Sequence, residues 1–395
     1  MKRDPQAARR ALADMEKDGV RRVLRTVEEY TRPGLTTHVR VEGRELVNFC
    51  SNDYLGLARD PRLTAALTSS AKTFGVGSGA AHLVTGHSIE HQRLEAELAD
   101  LTGREAALLF STGYMANLGI LTALIGRGAL VLEDRLNHAS LIDGALLSGA
   151  RLSRYNHGSV TDAMSRLEKA EETERLIATD GVFSMDGDIA PLSPLAKLAQ
   201  VKQAWFVVDD AHGFGVLGNE GAGSVAEARL SVDDVPLVMG TLGKAFGTFG
   251  AFAAGPRDLV DFLLQRARSY VYTTAMPPAV AAASLAAVRI ARKEENRRER
   301  LRALIARFRA GATKLGLPLM DSRTAIQPIV LEDSRRCLAA STALRERGFW
   351  VAAIRPPTVP PNTARLRVTL SATHEESDVD ALLAALAETL AQRAA

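Results

Sequence analysis

The sequence predicts an α/β fold: a large domain with a mostly parallel, seven-stranded sheet, followed by a smaller C-terminal α+β domain. Three observations predict it. Between about residues 60 and 255, seven short apolar runs alternate with helical patterns, the mark of strand–helix–strand units. Those runs are apolar throughout, as expected when helices cover both faces of a sheet. After residue 315 the pattern changes to strand, helix, strand, strand, helix, which suits a separate compact domain. The ranges read from these changes are 1–50 for an N-terminal helix and hairpin, 51–285 for the large domain and 286–395 for the small one.

Taken in order, residues 2–30 mix charged and apolar positions at helical spacing and predict an amphipathic helix, broken by Pro33-Gly34. His38-Val-Arg-Val and Leu46-Val-Asn-Phe predict a hairpin around Glu42-Gly43. Strands are expected over 106–110, 129–132, 151–155, 176–179, 205–209, 237–241 and 250–254, with helices such as 90–101 and 193–203 between most of them. Sheets of this kind bind ligands beyond the carboxyl ends of their strands. Asp180, Asp209 and the run from Thr241 to Lys244 all fall at those ends. A long helical segment over 277–315 starts at Pro277-Pro278 and stops at Gly316. The small domain then reads as strand 325–331, helix 334–347, strands 350–353 and 365–370, and helix 375–393.

Composition narrows the function. With 49 basic and 46 acidic residues the net charge is +3, too balanced for a nucleic-acid or membrane surface. The arginine-rich stretch 291–309 interleaves Glu294, Glu295 and Glu299 at helical spacing, which reads as a solvated helix face and not as an RNA- or acid-binding surface. Two cysteines, Cys50 and Cys337, imply neither a disulfide scaffold nor a metal cluster and point to a reducing cytoplasm. The first thirty residues lack the apolar core of a signal peptide. The most apolar stretch, 275–290, carries two prolines and is shorter than the ~20 residues of a spanning helix.

Chemistry concentrates in two runs. Lys244 lies in Val238-Met-Gly-Thr-Leu-Gly-Lys-Ala-Phe-Gly247, and Asp209 with His212 lies in Phe206-Val-Val-Asp-Asp-Ala-His-Gly-Phe-Gly215. A lysine held out of water loses its proton easily and can form a Schiff base. A strand-end carboxylate suits the ring nitrogen of pyridoxal phosphate, and a buried carboxylate without a partner is costly. Alone, Lys244 reads as a surface lysine in a glycine loop; its place one strand beyond Asp209 changes that balance. Ser111-Thr-Gly-Tyr-Met-Ala-Asn117 follows a strand and opens a helix, a phosphate site or an ordinary N-cap, and both readings hold together. His138 lies just past another strand, as a helix cap or as a ring stacked on a planar cofactor. Ser184, in the polar run 179–187, suits a cofactor oxygen, with Asp180 orienting a neighbour. Gly75-Val-Gly-Ser-Gly-Ala80 lacks a preceding strand and reads as an active-site loop, not a dinucleotide loop. His87 and His91 have i, i+4 spacing, but no third metal ligand is evident. Arg367 alternates with apolar neighbours on a strand and points inward, as a fork for a carboxylate or as an ion pair within the fold.

Together these residues resemble the α-oxoamine synthases, a family of fold-type-I pyridoxal-phosphate enzymes. The resemblance runs over nearly the whole chain from about Asn48. It includes Ser51-Asn-Asp-Tyr-Leu-Gly-Leu57, Leu83-Val-Thr-Gly-His-Ser88, Gly181-Val-Phe-Ser-Met-Asp-Gly-Asp188, Val208-Asp-Asp-Ala-His-Gly213, Thr241-Leu-Gly-Lys244, Tyr272-Thr-Thr-Ala-Met-Pro-Pro278 and Ala353-Ile-Arg-Pro-Pro-Thr-Val-Pro360. The last run points to the branch that condenses L-alanine with a pimeloyl thioester in biotin synthesis. Glycine-using branches (5-aminolevulinate synthase, 2-amino-3-ketobutyrate ligase) usually carry a Tyr-Pro pattern there and are the alternative.

The resemblance implies pyridoxal 5'-phosphate as cofactor and a decarboxylative condensation with pimeloyl-coenzyme A or pimeloyl acyl-carrier protein. It implies a cytoplasmic homodimer with sites at the subunit interface, and no nucleic-acid or membrane partner. Lys244 would hold the cofactor and move the α-proton, Asp209 would pair with the pyridine nitrogen, and His138 would stack on the ring and touch substrate. His212 and Ser184 would meet the ring hydroxyl region. Gly113 and Tyr114 would form the loop at the cofactor, with Thr241 near its phosphate and Thr273 and Thr274 reaching the partner subunit's phosphate. Arg367 would take the amino-acid carboxylate, while Arg21 (or Arg22) and Thr358 would contact substrate. Many relatives carry arginine where His82 stands, so His82 receives no role. A non-catalytic subunit of the same fold would be expected to lack Lys244.

Overall fold

The structure, a computed structural model, describes residues 4–391. The chain forms two compact units: Asp53–Ser184 with Asp188–Glu299, and a smaller unit made of the residues up to Asn52, Met185–Gly187 and those from Arg300 on. The sequence expects boundaries at 50 and 285, whereas the units divide at Asn52/Asp53 and Glu299/Arg300 and the N-terminal segment shares a unit with the C-terminal one. The cause is long-range pairing that local patterns do not carry: Phe349–Trp350 runs parallel to Arg44–Asn48, and Thr369 N–H donates to the Phe49 carbonyl at 2.8 Å.

In the larger unit a seven-stranded sheet has the order Ala106–Phe110, Ala251–Gly255, Leu237–Thr241, Trp205–Asp209, Arg175–Asp180, Leu130–Asp134, Arg151–Tyr155 among the described residues. Ala251–Gly255 is antiparallel to both neighbours, and the other pairs are parallel. Every predicted strand forms, within two residues of its expected ends. Ala106–Phe110 and Leu130–Asp134 are buried at every position, whereas the edge strand Arg151–Tyr155 is largely open. Helices Gly113–Leu124 and Ala139–Ser148 cross so closely that a Cβ on Gly144 would meet Leu121 Cδ1 at 2.8 Å. Ile120, Leu121, Val131, Leu141, Leu176 and Val207 fill one face of the sheet. Each such buried side chain stabilises by about 1.5–3 kcal/mol.

The predicted helix over 2–30 is a correction. The helix spans Ala7–Lys17 and ends at Asp18-Gly19, where Gly19 takes φ +66°. Val27–Tyr30 is then a strand paired with His38–Val41. Positions 2 and 3 of that prediction, like 392 and 393 of the C-terminal helix, lie outside the described residues; the latter helix is seen as Glu376–Ala391. The 277–315 segment is two helices, Pro278–Lys293 and Glu295–Lys314, parted at Glu294 with ψ 71°. The single strand expected over 350–353 divides between two sheets: Phe349–Trp350 joins the N-terminal strands, and Ala352–Ile354 pairs with Ala364–Thr369, which also pairs with Ile326–Glu332.

The arginines of 291–309 are less solvated than their spacing implies. Arg292 pairs with Glu97, Asp100 and Glu220, while Arg297 reaches Asp60 and Glu294. Arg298 is 2% exposed and donates to the Ala291 carbonyl. Among the described residues no helix is long and apolar enough to cross a membrane.

Candidate active site

Six of the seven strands point the same way, so the carboxyl ends of Phe110, Asp134, Asp180, Asp209 and Thr241 share one edge of the sheet. A cavity of about 200 Å³ opens there within the larger unit. Its wall carries Gly113, Tyr114, His138, Ser184, Asp209, His212, Thr241 and Lys244, eight residues expected from the sequence.

Each is placed by its element. Thr112 caps the helix Gly113–Leu124, accepting from Met115 N at 3.2 Å, so the helix start faces the cavity with the N–H groups and dipole that favour an anion. Tyr114 donates its hydroxyl to Asp143. Asp209 closes its strand, 5% exposed; Oδ1 accepts from Ala211 N at 3.0 Å and Oδ2 from Asn117 Nδ2 at 2.7 Å. These two bonds fix the direction of its carboxyl group. Asp180 lies beside it in register on the next strand and is pushed well above the usual carboxylate range, first by burial and then by the Asp209 charge. His138 caps the helix Ala139–Ser148, its own N–H donating to Asp180 Oδ2 at 3.1 Å. Loss of hydration lowers its pKa against the opposing pull of Asp209.

Lys244 is half-buried in the bend after Leu237–Thr241, less withdrawn from water than the sequence suggests. Its Nζ lies 2.9 Å from His212 Nε2, and His212 Nδ1 lies 2.6 Å from the Tyr54 hydroxyl. When the amine is protonated it only donates, so Nε2 then accepts and the ring proton sits on Nδ1 against Tyr54. Tyr54 is 1% exposed and held by a tight turn in which Asp53 accepts from Leu57 N at 2.8 Å. Tyr54 stands within a shared motif, but its bond to His212, 158 residues away, leaves no trace in local sequence. The same holds for Asn117, at the end of the Ser111 run, whose partner Asp209 lies 92 residues away. Thr241 turns its hydroxyl into its own loop, donating to the Gly250 carbonyl at 3.0 Å.

Not every expected residue lines this cavity. Thr273 and exposed Thr274 lie in the larger unit, outside its lining. The smaller unit holds the others. Arg367, 5% exposed, donates to Thr369 Oγ1 at 2.9 Å and Asn52 Oδ1 at 3.2 Å. A second cavity of about 410 Å³ lies in that unit between residues 20–24 and 353–358. Arg22 Nη2 donates there to Thr358 Oγ1 at 3.2 Å, while Arg21 pairs with Glu16 at 2.9 Å.

His82, given no role from the sequence, joins His87 and His91 as the third ring that linear spacing did not reveal, its Nδ1 3.1 Å from that of His87. It sits in a π-helical turn, His82–Gly86, whose side-chain direction no simple period gives. His91 accepts from Ser88 N at 3.0 Å on Nδ1 and meets the Met276 carbonyl at 2.7 Å with Nε2, so both nitrogens serve the fold.

The model of the class I and II aminotransferase family matches residues 44–386. The 8-amino-7-oxononanoate synthase of Alkalilimnicola ehrlichii is 60% identical over 371 residues, 94% of this chain and 93% of that protein. This chain belongs to the class I and II aminotransferase family, among its 8-amino-7-oxononanoate synthases. The synthase of Pseudomonas syringae pv. tomato is 59% identical over 349 residues, 88% of each chain. Among solved structures, a serine palmitoyltransferase from S. paucimobilis with bound pyridoxal phosphate and myriocin superposes with a TM-score of 0.93 at 29% identity, covering 99% of both chains. The 8-amino-7-oxononanoate synthase of Francisella tularensis superposes with a TM-score of 0.78 at 30% identity, over 89% of this chain and 99% of that one.

Proposed function

We propose that this chain condenses L-alanine with a pimeloyl thioester, releasing carbon dioxide and the free carrier thiol and giving 8-amino-7-oxononanoate, with pyridoxal 5'-phosphate held in the cavity of the larger unit. The observation that carries it is the Lys244 amine 2.9 Å from His212 in the cavity that Asp209 also lines, in a chain 60% identical to such a synthase.

The residues fit the cofactor. Lys244 offers the amine for covalent attachment. Asp209, its carboxyl fixed by Asn117 and Ala211 N, suits the ring nitrogen. The helix start at Gly113 and Tyr114, with Thr241, suits a phosphate. His138 offers a ring face, and His212 and Ser184 suit the ring hydroxyl. When bound, the cofactor supplies an electron sink for the carbanion at the alanine α-carbon. Lys244 takes the α-proton and later returns one, which requires a neutral amine for part of the cycle. His212 and Tyr54 hold that amine in place. Arg367 takes the alanine carboxylate through its planar fork. Arg22 and Thr358 share a cavity suited to the acyl substrate, with Arg21 one residue away. The acyl carrier is coenzyme A or an acyl-carrier protein. The enzyme acts in the cytoplasm as a homodimer, with Thr273 and Thr274 serving the neighbouring protomer's cofactor phosphate.

Product identification by mass tests this reading. Alanine or glycine is offered with acetyl, succinyl and pimeloyl thioesters. Alanine with the pimeloyl thioester should give 8-amino-7-oxononanoate as the dominant product; a dominant glycine product would reject the assignment. Borohydride treatment of the cofactor-loaded protein should leave the adduct on the peptide containing Lys244.

A further inference from the structure

Asn117 sits one turn inside the helix Gly113–Leu124 and is completely buried. Its Nδ2 carries two hydrogens, and two acceptors lie within reach: Asp209 Oδ2 at 2.7 Å and Ser140 Oγ at 2.8 Å. Its Oδ1 has no partner among the described residues. Turning the amide over would set that oxygen against a carboxylate oxygen, so the orientation is determined by chemistry. Ser140, also completely buried, therefore receives a hydrogen at Oγ and has one of its own to give. His138 Nδ1 lies 2.7 Å from Oγ and also accepts from Ser140 N at 3.3 Å. Two donors converge on Nδ1, so that nitrogen carries a lone pair. In the neutral ring the proton is then on Nε2, across the ring from Ser140.

We propose that Asn117 and Ser140 are positioning residues that hold the Asp209 carboxyl and fix His138 in its Nε2–H tautomer, so that a neutral ring with one outward N–H faces the cofactor and substrate. The chain of bonds is directional: Asn117 donates to both Asp209 and Ser140, and Ser140 donates to His138. One amide thus couples the group expected at the pyridine nitrogen to the group expected on the ring face. The consequence for catalysis rests on the function proposed above. The outward N–H suits a carboxylate or carbonyl oxygen of the bound substrate, and a neutral ring avoids repelling a protonated cofactor. Low hydration of the ring supports the same state. The charged groups acting on it are Asp209, Lys244 and Asp143, with Asp180 on its backbone N–H.

The test is ¹⁵N NMR of protein labelled at histidine, free of cofactor and loaded, with a pH titration of His138. Wild-type protein should show a protonated Nε2 and an unprotonated Nδ1 in both forms. Ser140→Ala removes the donor that stabilises the neutral ring, so its His138 should show mixed tautomers and titrate at higher pH. Its kcat should fall about tenfold, because a displaced group near the reacting atoms loses rate steeply. Asn117→Ala should shift the pH dependence of the bound cofactor's visible absorbance as well, since Asp209 loses a partner. If the buried Asn117 variant does not fold, Ser140→Ala alone decides. A protonated Nδ1 in wild-type protein, or an unchanged tautomer and titration in Ser140→Ala, overturns the proposal. Because the free protein reports the tautomer, failure to find the alanine and pimeloyl reaction would reject the proposed function without touching this result.

Discussion

At Lys244 three side chains share one line of hydrogen bonds: Nζ to His212 at 2.9 Å, and His212 to Tyr54 at 2.6 Å. Lys244→Ala should keep the near-ultraviolet circular dichroism of the wild type while turnover falls by about a thousandfold or more, within the range for a positioned acid–base group. A variant with normal kcat would refute the mechanism. Tyr54→Phe removes one partner of the His212 ring and costs about 1 kcal/mol of stability. Its kcat should drop about tenfold with little change in KM for alanine, because the pose of the amine is altered and not the substrate's binding; steady-state kinetics with a thermal melt check both. Lys244, Asp209 and His212 were legible because glycine-flanked and strand-end polar residues break an apolar run. Tyr54 and Asn117 were not: a motif shows that a residue belongs, and only the folded chain shows which ring or carboxyl it touches.

Elements meet at His157, beyond the strand Arg151–Tyr155. Nδ1 contacts Asp134 at 3.0 Å, at the end of Leu130–Asp134, and Nε2 contacts Asp188 at 2.9 Å; the ring also meets Phe183 edge-on at 4.4 Å. His157 thereby ties one strand end to residues on both sides of Ser184. Burial by itself would lower its pKa, but the bonds to Asp134 and Asp188 overcome that and push it up to about 10, above the ordinary 6.5. With the folded value raised, the stabilisation is complete below about pH 6.5 and fades as pH rises through 10. Thermal melts should show Tm falling between pH 7 and 10, and His157→Gln should flatten that decline. At pH 7 the variant should lose on the order of 2 kcal/mol, given a ring still 29% exposed. A slope unchanged in the variant would show that His157 carries no such charge. Most strands of the large sheet are readable because a buried parallel strand is a near-continuous apolar run; the edge strand Arg151–Tyr155, with two arginines and a serine, is the exception. The helix over 2–30 was overextended because Asp18-Gly19 is a weak stop on paper, and the pairing of Val27–Tyr30 with His38–Val41 is tertiary.

For the whole molecule, assembly is the property with most at stake. In the larger unit Val76, Val84 and Tyr272 remain 91%, 74% and 72% exposed, and Thr274 beside Tyr272 is exposed too. Large apolar side chains left in the open favour association. Sedimentation should give a dimer. Mixing inactive Lys244→Ala protomers with protomers carrying Thr273→Ala and Thr274→Ala should restore activity, since one of the two hybrid sites would then hold an intact lysine and intact threonines. Mixtures as inactive as their parents would mean that each site is built from one chain. The sequence carried the two-part architecture, but not the union of its first fifty residues with its last hundred, because strand pairing at that separation leaves no periodic trace.

Ala251–Gly255, the one reversed strand, lies between Ala106–Phe110 and Leu237–Thr241. During synthesis the segment at 106 emerges roughly 145 residues before its only sheet neighbour among the described residues. Through that interval both edges of a wholly apolar ribbon are unpaired, a state prone to sticking to other chains. A nascent polypeptide stalled near residue 230 should therefore be a chaperone client, and one stalled past 290 should not.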